Sequence, residues 1–243
     1  MAVYSNTAMG LYVDGFALEG FASQAELSVD VDELDVTTIG SAGWRNKIPG
    51  LAGGKLSVTG FQDVALTGVD PTFPGTSTGQ NVITFGPTVA SVADPAFLFA
   101  GRTTTRTPLT GQVGDAAGFQ FDWVGDGRIV RGQNLHPSAA RTATGNGTAT
   151  TFTTPTTGQS LWATFHVFTV SGTTPSVTFT VQTDDNAGFT TPTTRITSNA
   201  FTTAGAQYTS AAGPMATETH IRVVYTITGT TPSFTFAVFA GTN

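Results

Sequence analysis

The stretch Val167-Phe168-Thr169-Val170-Ser171-Gly172-Thr173-Thr174-Pro175-Ser176-Val177-Thr178-Phe179-Thr180-Val181 returns 57 residues later as Val224-Tyr225-Thr226-Ile227-Thr228-Gly229-Thr230-Thr231-Pro232-Ser233-Phe234-Thr235-Phe236-Ala237-Val238. In both copies apolar side chains alternate with Thr and Ser on either side of Gly-Thr-Thr-Pro-Ser, the period-two pattern of a strand with one buried face. Proline donates nothing to a sheet ladder and marks a bend, so each copy reads as a β-hairpin around that loop. Two copies are too few for a solenoid, and they read as equivalent hairpins in the two sheets of a β-sandwich.

Composition agrees with that reading. Charged residues make up only 11% of the chain, so helix-favouring Lys and Glu are scarce, while Thr, Val and Phe, which suit a pleated surface, are frequent. The expected fold class is all-β. Residues 141–243 contain 32 threonines among 103 residues, a bias that a disordered linker could share, but the regular spacing of large apolar residues argues for a folded domain.

From His136 to Thr157 the sequence turns small and polar without periodicity, and the domain boundary is expected there. This gives a first domain over 1–137, a linker over 138–150 and a C-terminal β-sandwich over 151–243. Within the first domain Leu27, Val29 and Val31 alternate with Ser28, Asp30 and Asp32, and Leu56 and Val58 point inward from a second strand. Phe119, Phe121 and Trp123 alternate with Gln120 and Asp122, and Gly125-Asp126-Gly127 is expected to fold the chain back through Ile129 and Val130 as a hairpin. One helix is expected, capped by Asp94, starting at Pro95 and running through Ala100 before Gly101 stops it.

The net charge is −6, with 13 acidic and 7 basic side chains in residues 1–140 and 3 of each in 141–243. Proteins that grip nucleic acid cluster Lys and Arg to displace phosphate counterions, so tight DNA or RNA binding is disfavoured. An acidic surface facing DNA repels it and suits a conduit. No cysteine is present, which excludes disulfides, thiolate metal sites and thiol nucleophiles. The first residues, Met1-Ala2-Val3-Tyr4-Ser5-Asn6, lack a charged n-region and an apolar h-region, and no apolar run approaches membrane-spanning length; the chain reads as kept soluble inside a cell.

The search for chemistry ends on ordinary structural readings. Gly75-Thr76-Ser77-Thr78-Gly79 matches the Gly-x-Ser-x-Gly pattern, but that nucleophile needs a strand-to-helix turn, and the flanking Pro71, Pro74 and strand-like Val82-Ile83-Thr84-Phe85 indicate a surface loop. His136, His166 and His220 lack metal-ligand spacing. Asp30, Asp32, Glu33 and Asp35 are the densest acidic cluster, without the tighter Asp-x-Asp-x-Asp-Gly of a calcium loop. Asp184-Asp185-Asn186-Ala187-Gly188 reads as a turn, and the sequon Asn146-Gly147-Thr148 carries meaning only in a secreted protein. The expectation is a non-enzyme with no cofactor and no metal.

Glu33 to Phe61 is the most distinctive segment. Its residues Asp35, Thr37, Gly40, Trp44, Ile48, Pro49, Gly50 and Leu51 resemble a segment of the tail tube (major tail) proteins of long-tailed bacteriophages, in which Asp-x-Thr-x-Phe-Gly is followed by Trp, Ile-Pro-Gly-Leu and an alternating strand. Ile39 stands where that family has Phe, and Ser41 where an acidic residue often follows the glycine. Val113-Gly114-Asp115-Ala116-Ala117-Gly118-Phe119 and Leu135-His136-Pro137 also resemble the later part of such proteins, so the likeness covers about 1–137. Residues 145–243 resemble the accessory β-sandwich at the C-terminus of some phage tail proteins.

The resemblance implies a β-barrel or sandwich with one flanking helix, six copies of which form a ring, with rings stacking into a tube that conducts the genome. It further implies a virion location, assembly in the bacterial host cytoplasm, and terminator, tape measure and distal tail proteins as partners, with the C-terminal domain facing the host surface or a glycan and no membrane contact. Independently of the family, Trp44, Ile48 and Leu51 lie in a loop rich in Gly and Pro that cannot bury them locally, which favours a partner surface. The expected contact residues between copies are therefore Ile39, Trp44, Ile48, Pro49 and Leu51, and the expected lumen carboxylates Asp30 and Asp32. A loop folded onto its own domain is the bland alternative. Two rival functions stay open at this point: a capsid decoration or receptor- or carbohydrate-binding tail protein, and a glycan-active enzyme using Asp184, Asp185 or Glu218.

Overall fold

The computed structural model describes residues 9–38, 44–63, 79–215 and 217–243. In chain order the strands are β1 (Gly10–Val13), β2 (Phe16–Ala17), β3 (Ala22–Asp35), β4 (Lys47–Phe61), β5 (Asn81–Gly86), β6 (Pro95–Thr110) and β7 (Gly118–Gly125). They continue with β8 (Val130–Arg141), β9 (Gly145–Asn146), β10 (Thr150–Thr151), β11 (Ser160–Asp184), β12 (Thr193–Thr197), β13 (Gly205–Ala212) and β14 (His220–Thr242). The fold is all-β, and no helix occurs among the described residues.

The repeated segment does not form hairpins. Each copy runs straight on as part of a long strand, β11 or β14, and the two strands pair with each other antiparallel from Leu161↔Thr242 to Asp184↔His220. Thr173 pairs with Thr230, its own counterpart in the repeat, so the ribbon has a local two-fold centre. There the register slips on both strands, and Gly172 (φ 116°), Thr174 (φ 48°), Gly229 (φ 122°) and Thr231 (φ 50°) take the left-handed backbone of a bulge. Glycine is required at two of these positions: a Cβ on Gly172 would lie 2.8 Å from the Thr231 carbonyl oxygen, and one on Gly229 would lie 2.9 Å from that of Thr174. Pro175 and Pro232 sit where no ladder bond is asked of them.

The bulges turn one ribbon into two layers. Residues 160–171 of β11 pair with the second half of β14 and with β13, whereas residues 176–184 pair with its first half and with β12. Strands that pass between layers at a bend make the corners of an orthogonal sandwich, and the inner faces then meet. Leu161, Ala163, Phe165 and Val167 of the first layer pack with Val177, Phe179, Val181, Ile221 and Val223 of the second. Phe165 stacks on Phe179 at 5.4 Å, and Phe236 meets Phe179 at 4.8 Å and Tyr225 at 5.2 Å. Each such fully enclosed ring contributes about 1.5–3 kcal/mol by its removal from water. The sandwich expected from the echo is present, built by bending rather than by hairpins.

Two compact units divide the chain differently from the expected boundary. The larger takes the chain up to Gly20, Asn81–Ala100 and Ile129–Asn243; the smaller takes Phe21–Gln80 and Gly101–Arg128. The expected linker is sheet: Ala139, Ala140 and Arg141 of β8 pair with Phe236, Thr235 and Phe234, and β9 and β10 pair with the first half of β14. Small polar residues suit it because they flank a strand already buried on its inner face. In the larger unit Tyr12 of β1, Ala96 and Leu98 of β6, and Ala237 and Phe239 of β14 form a second core on the outer face of the first layer. Burial on both faces explains the unbroken apolar run of residues 236–240.

The expected helix is the start of β6. Pro95, Ala96, Phe97 and Leu98 pair with Gln133, Gly132, Arg131 and Val130. Proline at the first residue of a strand is tolerated, and Asp94 closes the preceding turn by accepting from the Ser91 amide at 2.8 Å and the Thr88 hydroxyl at 3.2 Å. The expected Gly125-Asp126-Gly127 hairpin is likewise absent, since β8 pairs with β6 and β14 and not with β7. The smaller unit is an antiparallel sheet in the order β3, β4, β7 and the second part of β6. Leu56, Val58, Phe119, Phe121 and Trp123 are its buried face, as their alternation predicts.

Candidate assembly surface

Beyond the sheet of the smaller unit, β3 and β4 continue as a two-stranded arm. Val31 pairs with Ala52, Glu33 with Pro49, Leu34 with Ile48 and Asp35 with Lys47, with an irregularity between Val31 and Glu33 where β4 carries one residue more than β3. The Val36 amide donates to the Asn46 carbonyl at 2.9 Å, carrying the ladder to the tip. Glu33 and Lys47 form an ion pair across it. At the tip the Thr37 hydroxyl and amide hydrogen-bond to Asp35 and hold its carboxyl below the ordinary aspartate pKa.

The arm is wet on both faces. Alternation puts Val29, Val31, Glu33 and Asp35 on one face and Asp30, Asp32 and Leu34 on the other, and all of them are exposed. The sequence pattern places Val29 and Val31 on a buried face; the register opposes them to Gly54 and Ala52, which offer nothing to pack against. Trp44 is 80% exposed and Leu51 82% exposed, with Ile48 and Pro49 exposed beside them. Ile48, Pro49 and Leu51 therefore belong to strand β4 and not to a loop, whereas Trp44 lies in the irregular tip; Ile39 falls outside the described residues, as do residues 75–78 of the Gly-x-Ser-x-Gly match. Asp30, Asp32, Leu51, Lys55 and Val124 line one open groove of about 280 Å³, so the two acids share a surface with an apolar contact residue. Sequence alternation does not reveal three further exposed apolar residues of the same unit, Phe61, Leu109 and Val113, because each lies at a strand end or in a turn.

The remaining candidates have structural surroundings. His166 is fully enclosed: the Gly15 amide donates to Nδ1 at 3.4 Å, which leaves the proton on Nε2, 2.9 Å from the Thr84 hydroxyl, itself 2.8 Å from that of Thr164. Burial pushes its pKa down to about 3. His136 stacks on Phe236 at 4.6 Å, and burial, with the Arg141 charge beside it, pushes it down to about 4. Glu218 is bound by Arg195 and by the Thr183 hydroxyl at 2.6 Å, and these contacts overcome burial to hold its carboxyl below the usual range. Asp184 accepts from the amides of Asp185 at 2.7 Å and Thr191 at 3.0 Å, fixing the turn after β11. Among the described residues no group of three or more His, Asp or Glu is placed to hold a metal ion.

An exposed ribbon whose β3 pairs only with β4 among the described residues, and which carries apolar side chains and fixed charges, is equipped to bind another protein surface. No family model matches the sequence, and no curated protein does. Solved structures do resemble it. A chain from the virion of a native gene transfer agent particle is 14% identical and aligns with a TM-score of 0.35 over 49% of this chain and 93% of its own. A chain from the tail of an empty gene transfer agent particle with C6 symmetry is 16% identical, TM-score 0.34, over 45% of this chain and 80% of its own. The Dit protein of phage SPP1, a hub of the adsorption apparatus in phages that infect Gram-positive bacteria, is 13% identical, TM-score 0.36, over 98% of this chain and 100% of its own.

Proposed function

We propose that this chain is a structural protein of a phage-type tail, whose copies join edge to edge into hexameric rings and stack into a tube that conducts DNA. The observation that carries the reading is the β3–β4 arm, which exposes Trp44, Ile48 and Leu51 to solvent and has no covering element among the described residues. Apolar side chains on a ribbon of marginal intrinsic stability gain burial only from a partner. Closing a ring of identical sheets satisfies the outer backbone groups of β3 and leaves no free edge for uncontrolled pairing. The resemblance of Asp35, Thr37, Gly40, Trp44 and Ile48 to Leu51 to the tail tube segment supports the same role. Asp30 and Asp32, exposed on the arm, give the channel a surface that repels phosphate.

Negative-stain microscopy with light scattering tests this. The wild type forms rings or tubes with a central hole, and the double variant Trp44→Ser/Leu51→Ser remains a folded monomer. A wild type that stays monomeric at high concentration, or a variant whose tubes are unchanged, overturns the proposal.

A further inference from the structure

The larger unit has a cleft of about 400 Å³ at the open end of its sandwich, within the size range of small-ligand sites. Register defines its floor and one wall. Gly241 pairs with Gly132 and Ala240 with Gln133, so the next cross-strand row sets Arg131 beside Thr242, which in turn faces Leu161. Leu161, Ile221 and Ala240 are buried and form the apolar floor. Phe152 and Thr153, which follow β10, supply the facing wall.

The polar groups of the rim are held in place but not used up. The Gln133 amide nitrogen donates to the Thr151 carbonyl at 2.7 Å, which leaves its Oε1 as an acceptor. The Thr242 hydroxyl donates to the Thr153 carbonyl at 2.6 Å and keeps its lone pairs. The Arg131 side chain is exposed and its guanidinium has no hydrogen-bond or ion-pair partner among the described residues, and it brings the only charge to the lining, which contains no carboxylate. In a chain with net charge −6 a cleft whose single charge is positive selects an anionic group.

We infer that this cleft binds an acidic sugar residue of the uronic acid class. The planar guanidinium of Arg131 matches a carboxylate in bidentate fashion. Gln133 Oε1 and the Thr153 and Thr242 hydroxyls distribute neutral acceptors and donors as a hydroxylated ring requires, and the Phe152 ring covers the ring's C–H face. The inference rests on the larger unit alone and is independent of ring assembly.

The test compares two probes that differ only at C6, methyl β-glucuronide and methyl β-glucoside, by NMR titration of the full-length protein. The glucuronide shifts resonances of Arg131, Gln133 and Phe152 with a dissociation constant in the millimolar range, and the glucoside binds at least about tenfold more weakly. Arg131→Gln, exposed and silent for folding, erases the difference between the two sugars, and Gln133→Ala, which also gives up the Thr151 hydrogen bond, weakens both while circular dichroism shows the fold retained. Absence of any shift with either sugar overturns the cleft as a saccharide site. Equal binding of both sugars to the wild type, or a preference that survives Arg131→Gln, overturns the carboxylate assignment.

Discussion

Two ribbons of two antiparallel strands occupy this molecule, and they meet opposite fates. The β11–β14 ribbon bends at paired bulges, folds its own halves face to face and encloses Phe165, Phe179 and Phe236 completely. The β3–β4 arm, also irregular at its middle, opposes its valines to Ala52 and Gly54 and leaves Leu34, Ile48, Leu51 and Trp44 in water. What separates them is not apolar content but whether the described residues supply a second layer of the same chain. A ribbon that can fold on itself becomes core, and one that cannot keeps its apolar side chains exposed.

The contrast can be broken most forcefully inside the core ribbon. Phe236→Ala removes a ring that touches Phe179, Tyr225 and His136, and it should cost about 3–5 kcal/mol in urea unfolding of the monomer. Gly172→Ala and Gly229→Ala should each cost about 2–4 kcal/mol, from a strained backbone plus collision with a carbonyl, and the two-fold centre requires the two losses to agree within about 1 kcal/mol. A large disparity would mean that the bulges are not equivalent.

Acid should act on the same ribbon through His166 of β11 and on the neighbouring β8 through His136. His166 and His136 titrate near 3 and 4 when folded but near the ordinary 6.5 when unfolded. Below 6.5 the unfolded chain therefore binds protons that the folded chain refuses. Stability is at its plateau above that pH and declines as pH falls toward 4, by an amount on the order of a few kcal/mol that is levelled off once the folded imidazoles titrate. Glu218, depressed when folded, adds its loss only below the ordinary glutamate range. Urea midpoints measured between pH 7 and 4 in wild type and His166→Asn check this, the variant showing a shallower decline. Smallest of all, Leu51→Ser and Trp44→Ser should alter monomer stability by no more than about 0.5 kcal/mol, so that any effect on assembly is an effect on the interface.

How much of this is legible in the sequence follows from what each signal depends on. The buried alternation of Leu56, Val58, Phe119, Phe121 and Trp123 is readable because period two is a local property. The repeat announces a sandwich but misdirects its topology: a Gly-Thr-Thr-Pro-Ser segment suits a turn and a bulge equally, and only the long-range pairing of Thr173 with Thr230 decides. Asp94-Pro95 looks like a helix start because capping residues also close turns, and burial of Ala96 and Leu98 in a sheet outweighs their helix propensity. The unit boundary escapes a reading of composition because the larger unit is discontinuous in sequence, and composition reports only neighbours along the chain. On the arm, Trp44 and Leu51 are recognisable as unburied from the glycines around them, whereas the Arg131 cleft depends on cross-strand register, which no motif encodes.

The two-fold centre of the long ribbon has a kinetic corollary. Because the repeated segments of β11 and β14 are alike, a β14 strand in an unfinished molecule can offer another molecule's β14 a pairing like the one β11 supplies within the chain, about Thr230 facing Thr230. Refolding at rising protein concentration is therefore expected to raise the share of dimers joined through β14, which size-exclusion chromatography would show.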